Sequence, residues 1–160
     1  MQFYKTEKEF RQKENIEPKC VVLTPWEDFG PAIERVLNRR QIVYNFNKLV
    51  ESLAASYRKN ATTPEDPDYD YETQAIEWID YNTMRSLPYF PEKFRPIVVS
   101  ISEEELIEFL EQLYSDYDKT KIEQLMQSET FVEQLTVIRQ FSYDEFDGAA
   151  RKLLEDWLNG

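Results

Sequence analysis

The chain has 160 residues, 19 basic and 31 acidic side chains, a net charge of −12, no histidine and one cysteine. Without histidine there is no Ser-His-Asp or Cys-His arrangement, and one cysteine can form neither an intrachain disulfide nor a four-thiolate zinc site. The length suits one compact domain, or a domain with a helical annex, and an aromatic content of 14% is too high for a disordered acidic tail.

Residues 1–18 are polar, with Phe3, Phe10 and Ile16 as anchors, and suit a short helix or arm. KCVVLT at 19–24 reads as a strand. Pro25 and Gly30-Pro31 punctuate the next stretch. Residues 32–44 carry two patterns: a helical stripe of Ile33, Val36 and Leu37, and a polar NRRQ at 38–41 between two apolar runs. The second predicts a hairpin, which we prefer. Asn45 can cap a helix over 45–59 with Phe46, Leu49, Val50, Leu53 and Tyr57 on one face. The proline-rich, acidic stretch 60–69 reads as a loop. Asp70 can cap a helix over about 71–84, with Ala75, Ile76, Trp78 and Ile79 expected on its buried side. SLPYFPEKFRP at 86–96 must be irregular, and IVVSI at 97–101 reads as a buried strand.

Four helices complete the chain. Ser102-x-x-Glu105 spells a capping box and opens a helix over 103–116, with Leu106, Ile107, Phe109, Leu110, Leu113 and Tyr114 expected on the core side. The next, over 119–127, carries Ile122, Leu125 and Met126. Ser128 can start a third with Phe131, Val132, Leu135 and Ile138. Ser142-x-x-Glu145 repeats the box and opens a fourth with Phe146, Ala149, Ala150, Leu153, Leu154 and Trp157. The predicted fold is α+β: a small antiparallel sheet with packed helices over 1–101, then a C-terminal helical region over 102–160, packed on it as one compact domain.

Charge is uneven. Residues 1–60 hold 11 Lys/Arg and 8 Asp/Glu, a net of +3, while residues 61–160 hold 8 and 23, a net of −15. Two runs lack any basic residue. Residues 64–80 carry Glu65, Asp66, Asp68, Asp70, Glu72, Glu77 and Asp80. Residues 101–118 carry Glu103, Glu104, Glu105, Glu108, Glu111, Asp116 and Asp118. Such runs are solvated helix faces or surfaces for a basic partner. Tyr69, Tyr71, Tyr114 and Tyr117 interleave with them, and tyrosine gives contact area at little entropic cost.

Asp66, Asp68 and Asp70 stand at the first three ligand positions of an EF-hand loop, with Glu77 at the twelfth. Tyr71 stands where that loop needs glycine, and Pro67 interrupts it, so no metal site is predicted. Asp80, Tyr81, Asn82 and Arg85 cluster at a helix end, where Asn82 and Arg85 can bond terminal carbonyls. Arg39 and Arg40, in the hairpin turn near Tyr44, could touch a phosphate. An internal ion pair with the acidic half is the expectation there, given the net charge.

The segment AIEWIDYNTMRSLPYFPEKFRPIVV, residues 75–99, resembles a signature of small uncharacterised proteins of phages, prophages and other bacterial mobile elements. IVYNFNKLVESL at 42–53 is similar to the strand and helix that precede it there. The resemblance covers about residues 28–99 and implies a two-layer α+β unit of mobile-element origin, with no activity attached. This chain departs from it in the long NATTPEDPDYD loop, and residues 102–160 lie outside it.

The expected function is a non-enzymatic, cytoplasmic interaction protein without cofactor. It would bind, and inhibit, a basic nucleic-acid-binding host protein in the manner of a DNA mimic, through Asp66, Asp68, Asp70, Glu72, Glu103, Glu104, Glu105, Glu108 and Glu111. Direct nucleic-acid or membrane binding is not expected: the net charge opposes the first, and no stretch approaches the ~18 apolar residues of a span. The rivals are a carboxylate metal module or metal-dependent enzyme built on Asp66, Asp68, Asp70 and Glu77, and a scaffold that homo-oligomerises through the C-terminal helices.

Overall fold

The computed structural model describes residues 3–61 and 69–160. The fold is α+β, and the chain forms two compact units, Met1–Ile97 and Val98–Gly160.

In the first unit, α1 (Glu7–Lys13) starts at Thr6, whose hydroxyl accepts the Glu9 N–H, and buries Phe10. Residues 19–24 are not the expected strand. They run irregularly, each tie being individual: Cys20 N–H donates to the Glu17 carbonyl at 3.0 Å, and Leu23 N–H to the Tyr44 hydroxyl at 2.9 Å. Pro18 and Pro25 bracket the segment, and proline supplies no donor to a ladder. The short α2 (Trp26–Phe29) leads into a 3-10 turn at Gly30. A Cβ on Gly30 would lie 2.8 Å from the Trp26 ring, so only glycine fits there.

The hairpin is present: β1 (Ile33–Leu37) pairs antiparallel with β2 (Gln41–Asn45). The register slips between Ile33 and Arg35, which leaves Glu34 as the extra residue of a bulge. A bulge breaks the in-out alternation, so consecutive Ile33 and Glu34 are both buried. Glu34 Oε1 accepts from Asn45 Nδ2 at 3.1 Å. At the tip, Arg40 N–H donates to the Leu37 carbonyl at 3.0 Å, with Asn38 at φ 51° and Arg39 at φ 60°. Positive φ at both central residues is the type I′ geometry that suits a twisted hairpin.

Asn45 caps α3 (Phe46–Lys59) by accepting the Lys48 N–H at 2.9 Å, and the helix buries Leu49, Val50, Leu53 and Ala54. α4 (Tyr71–Trp78) is capped by Asp70 and continues into a π-helical segment, Ile79–Met84. Burial recurs at every fourth residue: Tyr71, Ala75, Ile79, Thr83, Leu87. Steps of four overshoot an α-helical turn by about 40° each, and the wider π turn brings the stripe back toward the core. The stripe is therefore narrow. Ile76 and Trp78, expected inside, are 37% and 38% exposed. Asn82 Nδ2 donates to the Trp78 carbonyl at 3.0 Å, and the Arg85 guanidinium stacks 4.7 Å from the Tyr81 ring centre.

β3 (Ile97–Val99) completes a sheet of order β1-β2-β3, which is mixed and not the antiparallel sheet expected. The long helical connection between β2 and β3 is what permits a parallel entry.

In the second unit, α5 (Glu103–Leu113), α6 (Lys119–Leu125), α7 (Glu129–Ile138) and α8 (Tyr143–Asn159) enclose one core. Leu106, Phe109, Leu113, Ile122, Phe131, Leu135, Phe146 and Leu154 form it. Phe109 and Phe146 meet edge-on at 5.0 Å. Ser102 and Glu105 make the full capping box, whereas Ser142 makes no side-chain cap bond. Arg139, 1% exposed, is a member sequence patterning missed. Its carbonyl accepts Ser100 N–H and Ile101 N–H at 2.9 and 3.1 Å, and its Nε donates to the Ile101 carbonyl at 3.0 Å. The arginine thus staples the end of α7 to the segment leading into α5.

Candidate docking surface

The acidity sorts by unit. Residues 98–160 hold 5 Lys/Arg and 15 Asp/Glu, a net of −10 out of the total −12. Three of those five cations are engaged within the unit. Arg139 is buried, and Arg151 lies 2.7 Å from Asp147 and 3.9 Å from Asp116. Lys119 leans toward Glu123 at 3.9 Å and over the Tyr114 ring at 5.2 Å.

On α5 the buried face is Leu106, Phe109, Leu110 and Leu113. At about 100° per residue, Glu104, Glu108 and Glu111 fall within an arc of about 60° directly opposite. All three are exposed, and none forms an ion pair among the described residues. The other two glutamates expected in this surface behave differently. Glu105 Oε1 is drawn into the capping box by the Ser102 N–H, and Glu103 is half-buried and engaged. Ile107, expected in the core, is 55% exposed beside the acidic stripe. The helix wheel carries that signal, since Ile107 lies about 110° from the centre of the buried face.

Of the first acidic run, Asp70, Glu72, Glu77 and Asp80 are described. Asp66 and Asp68 lie outside the described residues. Asp70 Oδ1 accepts the Thr73 N–H at 3.0 Å and its Oδ2 accepts the Thr73 hydroxyl at 2.6 Å. These bonds hold its carboxyl below the usual aspartate value. Glu72, Glu77 and Asp80 are exposed on α4 and the π segment. Among the described residues no three metal-ligating side chains gather, and no helix is long and apolar enough to cross a membrane.

Tyr71 is buried and meets Tyr69 edge-on at 4.8 Å. The Tyr117 hydroxyl donates to Glu155 at 2.6 Å, a bond that raises its pKa. Tyr114 is half-buried under Lys119.

No family model matches the chain, and no curated protein or solved structure matches it.

Proposed function

We propose that the second unit is a docking module for a basic protein and that the outer face of α5 makes the contact. The observation that carries this is the stripe Glu104, Glu108 and Glu111, exposed and without internal cations among the described residues. At about 1.5 Å rise per residue, the three carboxylates are stepped about 6 and 4.5 Å along the axis. One strand of duplex DNA presents a phosphate about every 3.4 Å. The stripe is therefore sparser than a phosphate backbone. It supports a general acidic docking face more strongly than a close copy of DNA, with mimicry of a nucleic-acid backbone as the narrower form of the reading. Unpaired carboxylates accelerate encounter with a basic surface and lose that effect in salt. The resemblance of residues 75–99 to mobile-element proteins supports a bacterial cytoplasmic protein as the target, and the role is inhibition by occupancy, not catalysis.

The test is a triple reversal, Glu104→Lys, Glu108→Lys and Glu111→Lys, compared with the unaltered chain in pull-downs from bacterial lysate at low and high salt. A control reverses Asp144 and Glu145, which are exposed at the start of α8. A basic partner should be retained at low salt by the unaltered chain and the control, released by high salt, and lost with the triple reversal. Retention of the same proteins by the triple variant refutes the reading.

A further inference from the structure

A cluster of positive charge, opposite in sign to the net charge of the chain, lies at the hairpin tip of the first unit. Hydrogen bonds bring the hairpin tip and two other segments together. Glu17 N–H donates to the Arg39 carbonyl at 2.7 Å, and Val21 N–H to the Phe94 carbonyl at 3.4 Å. Gln41 Nε2 donates to the Glu92 and Arg95 carbonyls, both at 3.1 Å. The converging stretches 17–21, 38–41 and 92–95 hold Lys19, Arg39, Arg40, Lys93 and Arg95 against Glu17 and Glu92, so 5 − 2 gives +3.

These cations have unequal duties. Arg95 is spent on the scaffold: its Nη2 donates to the Pro88 and Phe90 carbonyls at 3.2 and 3.0 Å, fixing the loop. The side chains of Arg39 and Arg40 form no ion pair among the described residues, so the internal pairing expected for them does not occur there. Arg40 Nε is buried and has no hydrogen-bond partner among the described residues. An orphaned buried donor is a cost that calls for a compensating acceptor. Arg39 sits at φ 60°, where glycine would be at ease and arginine is not. Both arginines are thus held at a disadvantage to the fold alone.

We propose that the Arg39–Arg40 tip is a phosphate-binding site. The Nε/Nη edge of a guanidinium receives two oxygens of one oxyanion in parallel, and an outward swing of the half-buried Arg40 side chain would bring that edge to the ligand and give Nε the acceptor it lacks. Arg39, exposed at the neighbouring turn position, supplies the second charge, and Lys93, exposed on the adjoining turn, adds to the local field. Acids more than about 8 Å away are largely screened at physiological ionic strength, so the net charge of the chain does not decide this local site. The ligand is a phosphate group, either free or on a small molecule, or one within a nucleic-acid strand.

The test tracks thermal unfolding of the full chain with rising inorganic phosphate, ionic strength being held constant with sodium chloride. In parallel, the anisotropy of a fluorescein-labelled single-stranded oligonucleotide is measured. A saturable rise in melting temperature beyond the chloride control is expected. Arg40→Lys keeps the charge without the two-pronged edge and should weaken phosphate about tenfold, the loss of one charge-assisted hydrogen bond. Arg39→Gly fits the turn and should fold at least as stably, yet lose affinity. That divergence separates binding from a purely structural role. Oligonucleotide binding tighter than phosphate supports the polymer as source, and phosphate binding without it supports a small ligand. The proposal is overturned if neither binds beyond the chloride control, or if both variants bind like the unaltered chain.

Discussion

Asn45 joins two elements with one amide. Its Oδ1 accepts the Lys48 N–H that opens α3, and its Nδ2 donates to the bulge carboxylate of Glu34, with the side chain 2% exposed. Asn45→Ala removes both bonds. The lost cap costs about 1 kcal/mol, and a buried carboxylate deprived of a donor costs about 1.5–3 kcal/mol more. The variant should therefore lose about 2.5–4 kcal/mol. With a urea slope of about 2 kcal/mol/M, its unfolding midpoint falls by more than about 1 M. In a Glu34→Ala background the second contribution has already gone, and Asn45→Ala should cost only the cap, about 1 kcal/mol. Tryptophan fluorescence reports the transition through Trp26 and Trp78 of the first unit, and amide exchange at Lys48 reports the cap itself. Costs equal in both backgrounds within about 0.5 kcal/mol would refute the coupling.

Gly148 lies inside α8 with nothing within 4 Å of an added Cβ; Gly148→Ala should stabilise the protein by about 0.5–1 kcal/mol, and a lower unfolding midpoint would contradict this. Burial pushes the Cys20 thiol up to about 11, so a thiol-reactive probe should label the native chain slowly at mildly alkaline pH and rapidly in urea; equal rates would contradict its burial. The Asp70 carboxyl is held below its usual value by Thr73. Its contribution to the start of α4 is therefore full above the ordinary aspartate range and disappears as pH falls through the lowered value. Protection of the Thr73 amide, measured against its unstructured exchange rate at the same pH, should fall as pH drops below the ordinary aspartate range, and Asp70→Asn should remove that dependence; an unchanged profile in the variant would place the effect elsewhere.

Features written in adjacent residues were legible in the sequence. Asn45, Asp70 and Ser128 cap the helices assigned to them, and Ser102 with Glu105 closes its box. Ser142 carries the same spelling and makes no such bond, because a capping motif permits the geometry without enforcing it. Helix faces were less legible. Hydrophobicity alone predicts Ile76, Trp78 and Ile107 inward, but the partners that cover a face come from distant sequence. Arg139 shows the reverse: its burial rests on the carbonyl of Ile101, 38 residues away, and a charged residue reads as surface by default. The acidic stripe was visible as composition, and the turn of α5 then selected three glutamates from five. The basic tip was visible only as an Arg-Arg pair, since the segments that surround it are separated by dozens of residues.

The π turn at Ile79–Met84 bears on how the chain tolerates changes in length. A π turn is an α-helix holding one residue more than its hydrogen-bond ladder needs. Loss of a single residue there returns the segment to an ordinary helix while Ala75 before it and Leu87 after it keep their directions. The same loss in α3 or α5 would turn everything beyond it by about 100° and carry a core face into solvent. A one-residue deletion is thus absorbed at a helical position in this protein, and not only in its loops.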